Sequence, residues 1–216
     1  MEDIIRRPEE IEKRSMEIIA VELAQRGIEL PPSERAVTMR AIHASADFDY
    51  AENLRFLTDP LQAGIAALKG GAVIVTDTNM ALSGIHISSV EAFGCRKVCY
   101  MADPVVAETA RKEGRTRAAV SMQKAAGDFE DIIFVIGNAP TALLEVAALI
   151  REGLIPALVI GLPVGFVNVV ESKEKAEEVC RACGIPAIIG AGRKGGSSVA
   201  AAVMNAVIYE AVGRVL

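Results

Sequence analysis

The chain has 216 residues and a formal net charge of −5, with 23 Lys and Arg against 28 Asp and Glu, and none of the basic residues form the block that a nucleic-acid binder needs. Apolar residues make up 51% but aromatics only 4%, with no Trp, so Ala, Val and Ile must supply the core, as in buried parallel strands covered by helices. No run of 18 apolar residues and no signal-like N-terminal segment is present, which predicts a cytoplasmic protein with no membrane partner.

Pro8, followed by Glu9 and Glu10, opens the first predicted helix, because proline is tolerated at the first position and acids suit the positive end. Met16, Ile19, Ala20 and Leu23 then recur at helical spacing, Ser15 flanks that stripe, and Gly27 is a natural stop. Pro31-Pro32-Ser33 separates this helix from the next, with Ser33 as its expected N-cap. The second helix carries Arg40, His43 and Asp47 at spacings of three and four, which places a cation, a proton carrier and a carboxylate on one face. The chain has two histidines, His43 and His86, and imidazole is the side chain that both gives and takes a proton near neutral pH. An isolated R-x-x-H is ordinarily a pair of solvated helix residues. Asp47 is either a partner for His43 or a cap for the following turn, a task Asp49 and Glu52 could share.

From residue 72 the pattern changes to short apolar runs, each leading through a small polar loop into a helix. The runs are Ala72–Val75, Val98–Met101, Ile132–Ile136, Ala157–Ile160 and Ala187–Ile189. Five strands alternating with helices predict a three-layer, doubly wound α/β fold with a five-stranded parallel sheet. No linker marks a boundary, so residues 1–216 read as a single domain, with 1–70 a helical cap and 71–216 the strand–helix core. Ligands of such sheets bind at the carboxyl ends of the strands, and the helix-opening amides there attract anions. Those loops include Asn138 and the basic pair Arg193-Lys194, the latter suited to a carboxylate or phosphate. Gly114-Arg115-Thr116-Arg117 is a second basic turn, by default solvated.

Two decoys are set aside. Gly190-x-Gly192-x-x-Gly195 follows a strand and opens a helix, as a dinucleotide fingerprint does, but no later strand remains to carry the acid for the ribose. Cys180-x2-Cys183 falls late in a charged helical segment, with no nearby His or second C-x-x-C to complete a tetrahedral site. Neither a metal nor a cofactor is expected.

Several stretches together resemble the precorrin-8X methylmutase family, also called cobalt-precorrin-8 methylmutase, of corrin biosynthesis. They are Glu12-Lys13-Arg14-Ser15, Arg40-Ala41-Ile42-His43, Gly137-Asn138-Ala139-Pro140-Thr141-Ala142-Leu143, Gly161-Leu162-Pro163-Val164-Gly165-Phe166-Val167, Glu171-Ser172-Lys173 and Gly192-Arg193-Lys194-Gly195-Gly196-Ser197. The resemblance implies a flavodoxin-like sheet and a homodimer with the active site near the subunit interface. It implies an isomerase that moves a methyl group from C-11 to C-12 of a corrinoid macrocycle, with or without cobalt, using no cofactor. The family's catalytic histidine falls on His43 as proton donor, and its substrate-contacting serine and arginine fall on Ser15 and Arg40. A further arginine falls on Arg117, and His86 matches no family motif. Asn138 and Arg193 join the expected substrate contacts from their loops. The rival reading is a non-catalytic tetrapyrrole-binding protein using the same loops. The expected dimer has a motive in the Ala200–Val203 face and in the Ala/Leu/Val face after Pro140, more apolar surface than one sheet needs.

Overall fold

The computed structural model describes residues 5–214. Five helices open on a proline: α1 (Pro8–Gln25), α2 (Pro32–Ser45), α4 (Pro60–Lys69), α6 (Pro104–Glu113) and α8 (Pro140–Arg151). A fixed φ and a missing N–H cost nothing at that position, so each proline sets a helix start. Pro32 rather than Ser33 begins α2, and Ser33 lies inside its first turn. The remaining helices are α3 (Tyr50–Asn53), α5 (Asn79–Gly84), α7 (Arg117–Asp128), α9 (Val169–Cys183) and α10 (Ser197–Ala211), with two 3-10 turns at Ile87–Ser89 and Glu91–Phe93.

The strands are β1 (Leu54–Leu57), β2 (Val73–Thr76), β3 (Arg96–Val98), β4 (Ile132–Ile136), β5 (Leu158–Gly161) and β6 (Ala187–Gly190), hydrogen-bonded in the order β1-β6-β5-β4-β2-β3. Four of the five expected strands are present, and the fifth, expected at Val98–Met101, forms upstream at Arg96–Val98. These five are parallel, but the sheet is mixed and six-stranded, because β1 pairs antiparallel with β6 from Leu54↔Gly190 to Leu57↔Ala187. The expected flavodoxin-like sheet of five parallel strands is corrected to that extent. A strand of four residues between a helix and Thr58-Asp59 is too short to show a period. It also puts part of the expected helical cap into the sheet itself.

Alternation along the strands builds two cores. Ile74, Ile133, Val135, Leu158, Ile160 and Ile188 face one side, under α1, α2, α4 and α10. Val73, Val75, Ile132, Phe134, Ile136, Val159 and Ile189 face the other, under α7, α8 and α9. That is a helix–sheet–helix sandwich of three layers. Helix α10 runs through the middle of its layer, between α2, α4 and α5, and Ala200, Ala201, Ala202 and Val203 are buried there. On α8, Ala142, Leu143, Val146, Ala147 and Ile150 are buried against the second core. Neither face is left over for a second copy, which removes the motive that the sequence offered for a dimer. Exposed apolar side chains lie elsewhere, among them Ile11, Ile18 and Val21 on α1, and Val164, Phe166 and Val167 after β5.

Candidate active site

His43 stands in the last turn of α2, exposed, with no hydrogen-bond partner among the described residues. One turn earlier, Arg40 is the opposite case: only 7% exposed, its Nη2 donates to Glu12 Oε1 at 2.7 Å. Glu12 projects from α1 and bridges two cations, since its Oε2 accepts from Arg214 Nη2 at 2.6 Å. Both guanidiniums also stand over the Tyr209 ring, Arg214 at 4.4 Å and Arg40 at 5.1 Å from its centroid. Cations over an aromatic face are attracted by its quadrupole, so ring and carboxylate together hold both arginines. The Nε of Arg40 is buried without a partner. The Tyr209 hydroxyl meets Nδ1 of His86, and Asn205, one turn before Tyr209, accepts from the His86 backbone N–H and donates to the Gly84 carbonyl. His86, which the sequence left without a role, is thereby fixed to α10.

Partial desolvation and then the Arg40 cation hold the His43 imidazole below the ordinary histidine pKa, with the Glu12 carboxylate acting the other way. Glu12 itself is lowered: burial pushes it up, but the bond to Arg40 and the surrounding cations outweigh that. Asp47 is not the carboxylate of this group. It accepts from the Asp49 N–H at 3.0 Å and pairs with Lys194 at 2.6 Å, a turn cap and an ion pair. Lys194 bridges Asp47 and Asp49 and so ties the end of α2 to the β6–α10 loop.

That loop is fixed from beneath by Lys173, a buried side chain of α9 whose Nζ donates to the carbonyls of Gly192 at 2.9 Å and Lys194 at 2.6 Å. Burial pushes its amino group down to about 8. The loop runs so close to the β5–α9 loop that a Cβ on Gly195 would stand 2.2 Å from the Leu162 carbonyl oxygen. Arg193 is exposed on it, with its guanidinium 5.7 Å from the Phe166 ring centroid.

The other expected contacts are spread out. Ser15 is half-buried on α1 and donates to the Ile11 carbonyl at 2.7 Å. Arg117 is the first residue of α7, exposed, and reaches the Met101 carbonyl at 3.4 Å. Helix α7 covers the face of the sheet opposite to α2, so one chain carries Arg117 and Arg40 in different layers. Asn138 is exposed at the end of β4, but the amides there are not free for a ligand. Asp77, fully buried after β2, accepts from the N–H groups of Gly137, Asn138 and Ala139 at 2.9, 2.8 and 2.6 Å. Burial pushes its carboxyl up, while those three bonds pull it down. The cavity of about 460 Å³ between α1, α2 and the end of α10 is lined by Lys13, Met16, Arg35 and Met39 among others, and not by His43. Among the described residues no group of three or more His, Cys, Asp or Glu is placed to hold a metal, and no helix is long and apolar enough to cross a membrane.

Comparison with known proteins gives this arrangement its relatives. The family model of precorrin-8X methylmutase matches residues 10–210. The chain belongs to the precorrin-8X methylmutase family. It is 43% identical over 203 residues to a cobalt-precorrin-8 methylmutase of Leptospira interrogans, covering 92% of this chain and 91% of that one. To a precorrin-8X methylmutase of Pseudomonas aeruginosa it is 38% identical over 211 residues, 97% and 99% of the two chains. The solved precorrin-8X methylmutase of Thermus thermophilus superposes with a TM-score of 0.85 at 38% identity, covering 96% of this chain and 98% of that one. Sequence reasoning missed Glu12 as the partner of Arg40, because a separation of 28 positions leaves no spacing signal. It also read the strand-end loops as sources of amides for anions, when at the end of β4 Asp77 itself takes those amides.

Proposed function

We propose that this chain moves a methyl group from C-11 to C-12 of precorrin-8X, or of its cobalt form, with His43 as the proton donor. The family match over residues 10–210 supports the isomerisation. The geometry that favours His43 is its exposed, unbonded imidazole one turn from a buried Arg40–Glu12 pair. A general acid must reach the atom it protonates, and no bond within the chain has to break before the His43 ring does so. His86 is exposed as well, but its Nδ1 is held at Tyr209 and it matches none of the family's motifs.

The lowered proton affinity of His43 suits the task. Imidazolium is then a stronger acid, and the acetate and propionate groups of the substrate would raise its pKa again as they approach, loading the proton when the macrocycle arrives. Ser15, Arg40, Arg117, Asn138 and Arg193 are the proposed substrate contacts, with no cofactor. Arg40 serves first through its charge beside His43, because Glu12 already occupies its Nη2. We assign a homodimer with the active site near the interface. Two observations favour it: Arg117 lies in the other helical layer from His43, and α1 exposes Ile11, Ile18 and Val21.

The test is conversion of precorrin-8X and of cobalt-precorrin-8 by the purified protein, followed by visible absorption. Formation of hydrogenobyrinate or cobyrinate supports the reading. Binding of either macrocycle with no conversion under any condition would favour the tetrapyrrole-binding alternative.

A further inference from the structure

The strand order reverses at β2. From β2 the chain moves outward to β3, then crosses back to β4 on the other side. The crevice between the carboxyl ends of β2 and β4 is therefore the switch point, where doubly wound sheets commonly take the anionic part of a ligand. The turn from β4 into α8 lies there, and the backbone amides of such a turn are the donors that would grip an anion. In this chain the anion is covalently supplied. Asp77 spends one carboxylate oxygen on Gly137 and the other on Asn138 and Ala139, and it has no exposed surface.

The surroundings close the crevice further. A Cβ on Gly137 would lie 2.6 Å from Cα of Ser197, so the start of α10 is seated directly against the β4–α8 turn. Thr78, next to Asp77, shares a hydrogen bond of 2.8 Å with Ser197 across the same gap. The three amides of the turn are thus taken, and its side toward α10 is filled.

We infer that Asp77 is a specificity-determining residue: it is the resident anion of the switch point, and it bars phosphate-bearing ligands and substrate carboxylates from that site. The acidic groups of any substrate must then be held by groups other than the Gly137, Asn138 and Ala139 amides. This stands whichever groups do so.

Amide resonances of the full-length ¹⁵N-labelled protein test it. In the parent protein, inorganic phosphate and formate leave the Gly137, Asn138 and Ala139 signals in place. In Asp77→Ala, formate enters the vacated position and shifts all three saturably. Movement of those signals by phosphate in the parent, or no response to formate in the variant, would overturn the inference. Should Asp77→Ala not fold, Asp77→Asn keeps the shape but turns one acceptor into a donor. Its NH2 then faces the single Gly137 amide, which exchanges with solvent about ten- to a hundred-fold faster, and unchanged exchange there would overturn it equally.

Discussion

At the scale of single residues, burial separates the proposed proton donor from the charges around it. His43 is left free, while the charges that tune it, Arg40 and Glu12, are tied to each other and to Tyr209. Lys173 is the most heavily buried cation and has a measurable signature. Its folded amino group titrates at about 8, against 10.5 for an ordinary lysine. Between those values the unfolded chain binds the proton and the folded chain does not, so stability rises with pH there. The Cys180 thiol, pushed up to about 12 by burial, acts the other way as pH passes 9. Lys173 therefore dominates from pH 8 toward 9, where Cys180 and Cys95, the latter also raised by burial, offset part of its gain. The denaturation midpoint should climb there by the equivalent of less than about 1 kcal/mol. Lys173→Met should flatten that climb, and a parent midpoint that falls across the window would contradict the assignment. The Arg40–His43 pair was legible from a spacing of three residues; Glu12, Lys173 and Asp77 were not, because their partners are distant in sequence and nothing local marks them.

At the scale of elements, legibility followed length and buried apolar content. Strands β2, β4, β5 and β6 are buried along their whole length and read as continuous apolar runs. Strand β1 has an exposed arginine and four residues, and its pairing comes from β6 rather than from its own sequence. Helix α10 misled in the opposite direction. Its alanines were read as a surface for another subunit, yet small side chains here let α10 lie close against its own neighbours: a Cβ on Gly84 would meet the Ala201 methyl at 2.9 Å. The tightest approach joins the loops after β5 and β6 at Gly195. Gly195→Ala forces a methyl against the Leu162 and Pro163 carbonyls and should cost about 1–3 kcal/mol. Gly127→Ala, in α7 with nothing within 4 Å, should be neutral or slightly stabilising. Equal denaturation midpoints for the two variants would show that the loop contact carries no stability.

For the whole molecule, three layers place the proposed proton donor and the proposed Arg117 contact on opposite sides of one sheet. A second copy is the simplest way to bring such residues to one macrocycle. Light scattering should give about twice the chain mass of 22.9 kDa, and a monomer at micromolar concentration would contradict the dimer. The most direct measurement is single-turnover conversion of the substrate by His43→Ala and His43→Asn, with product affinity recorded alongside. A general acid contributes roughly 10²–10⁴-fold, so both variants should lose about 3–5 kcal/mol of transition-state stabilisation and keep most of their affinity for product. Near-normal turnover in either variant would remove His43 from the chemistry.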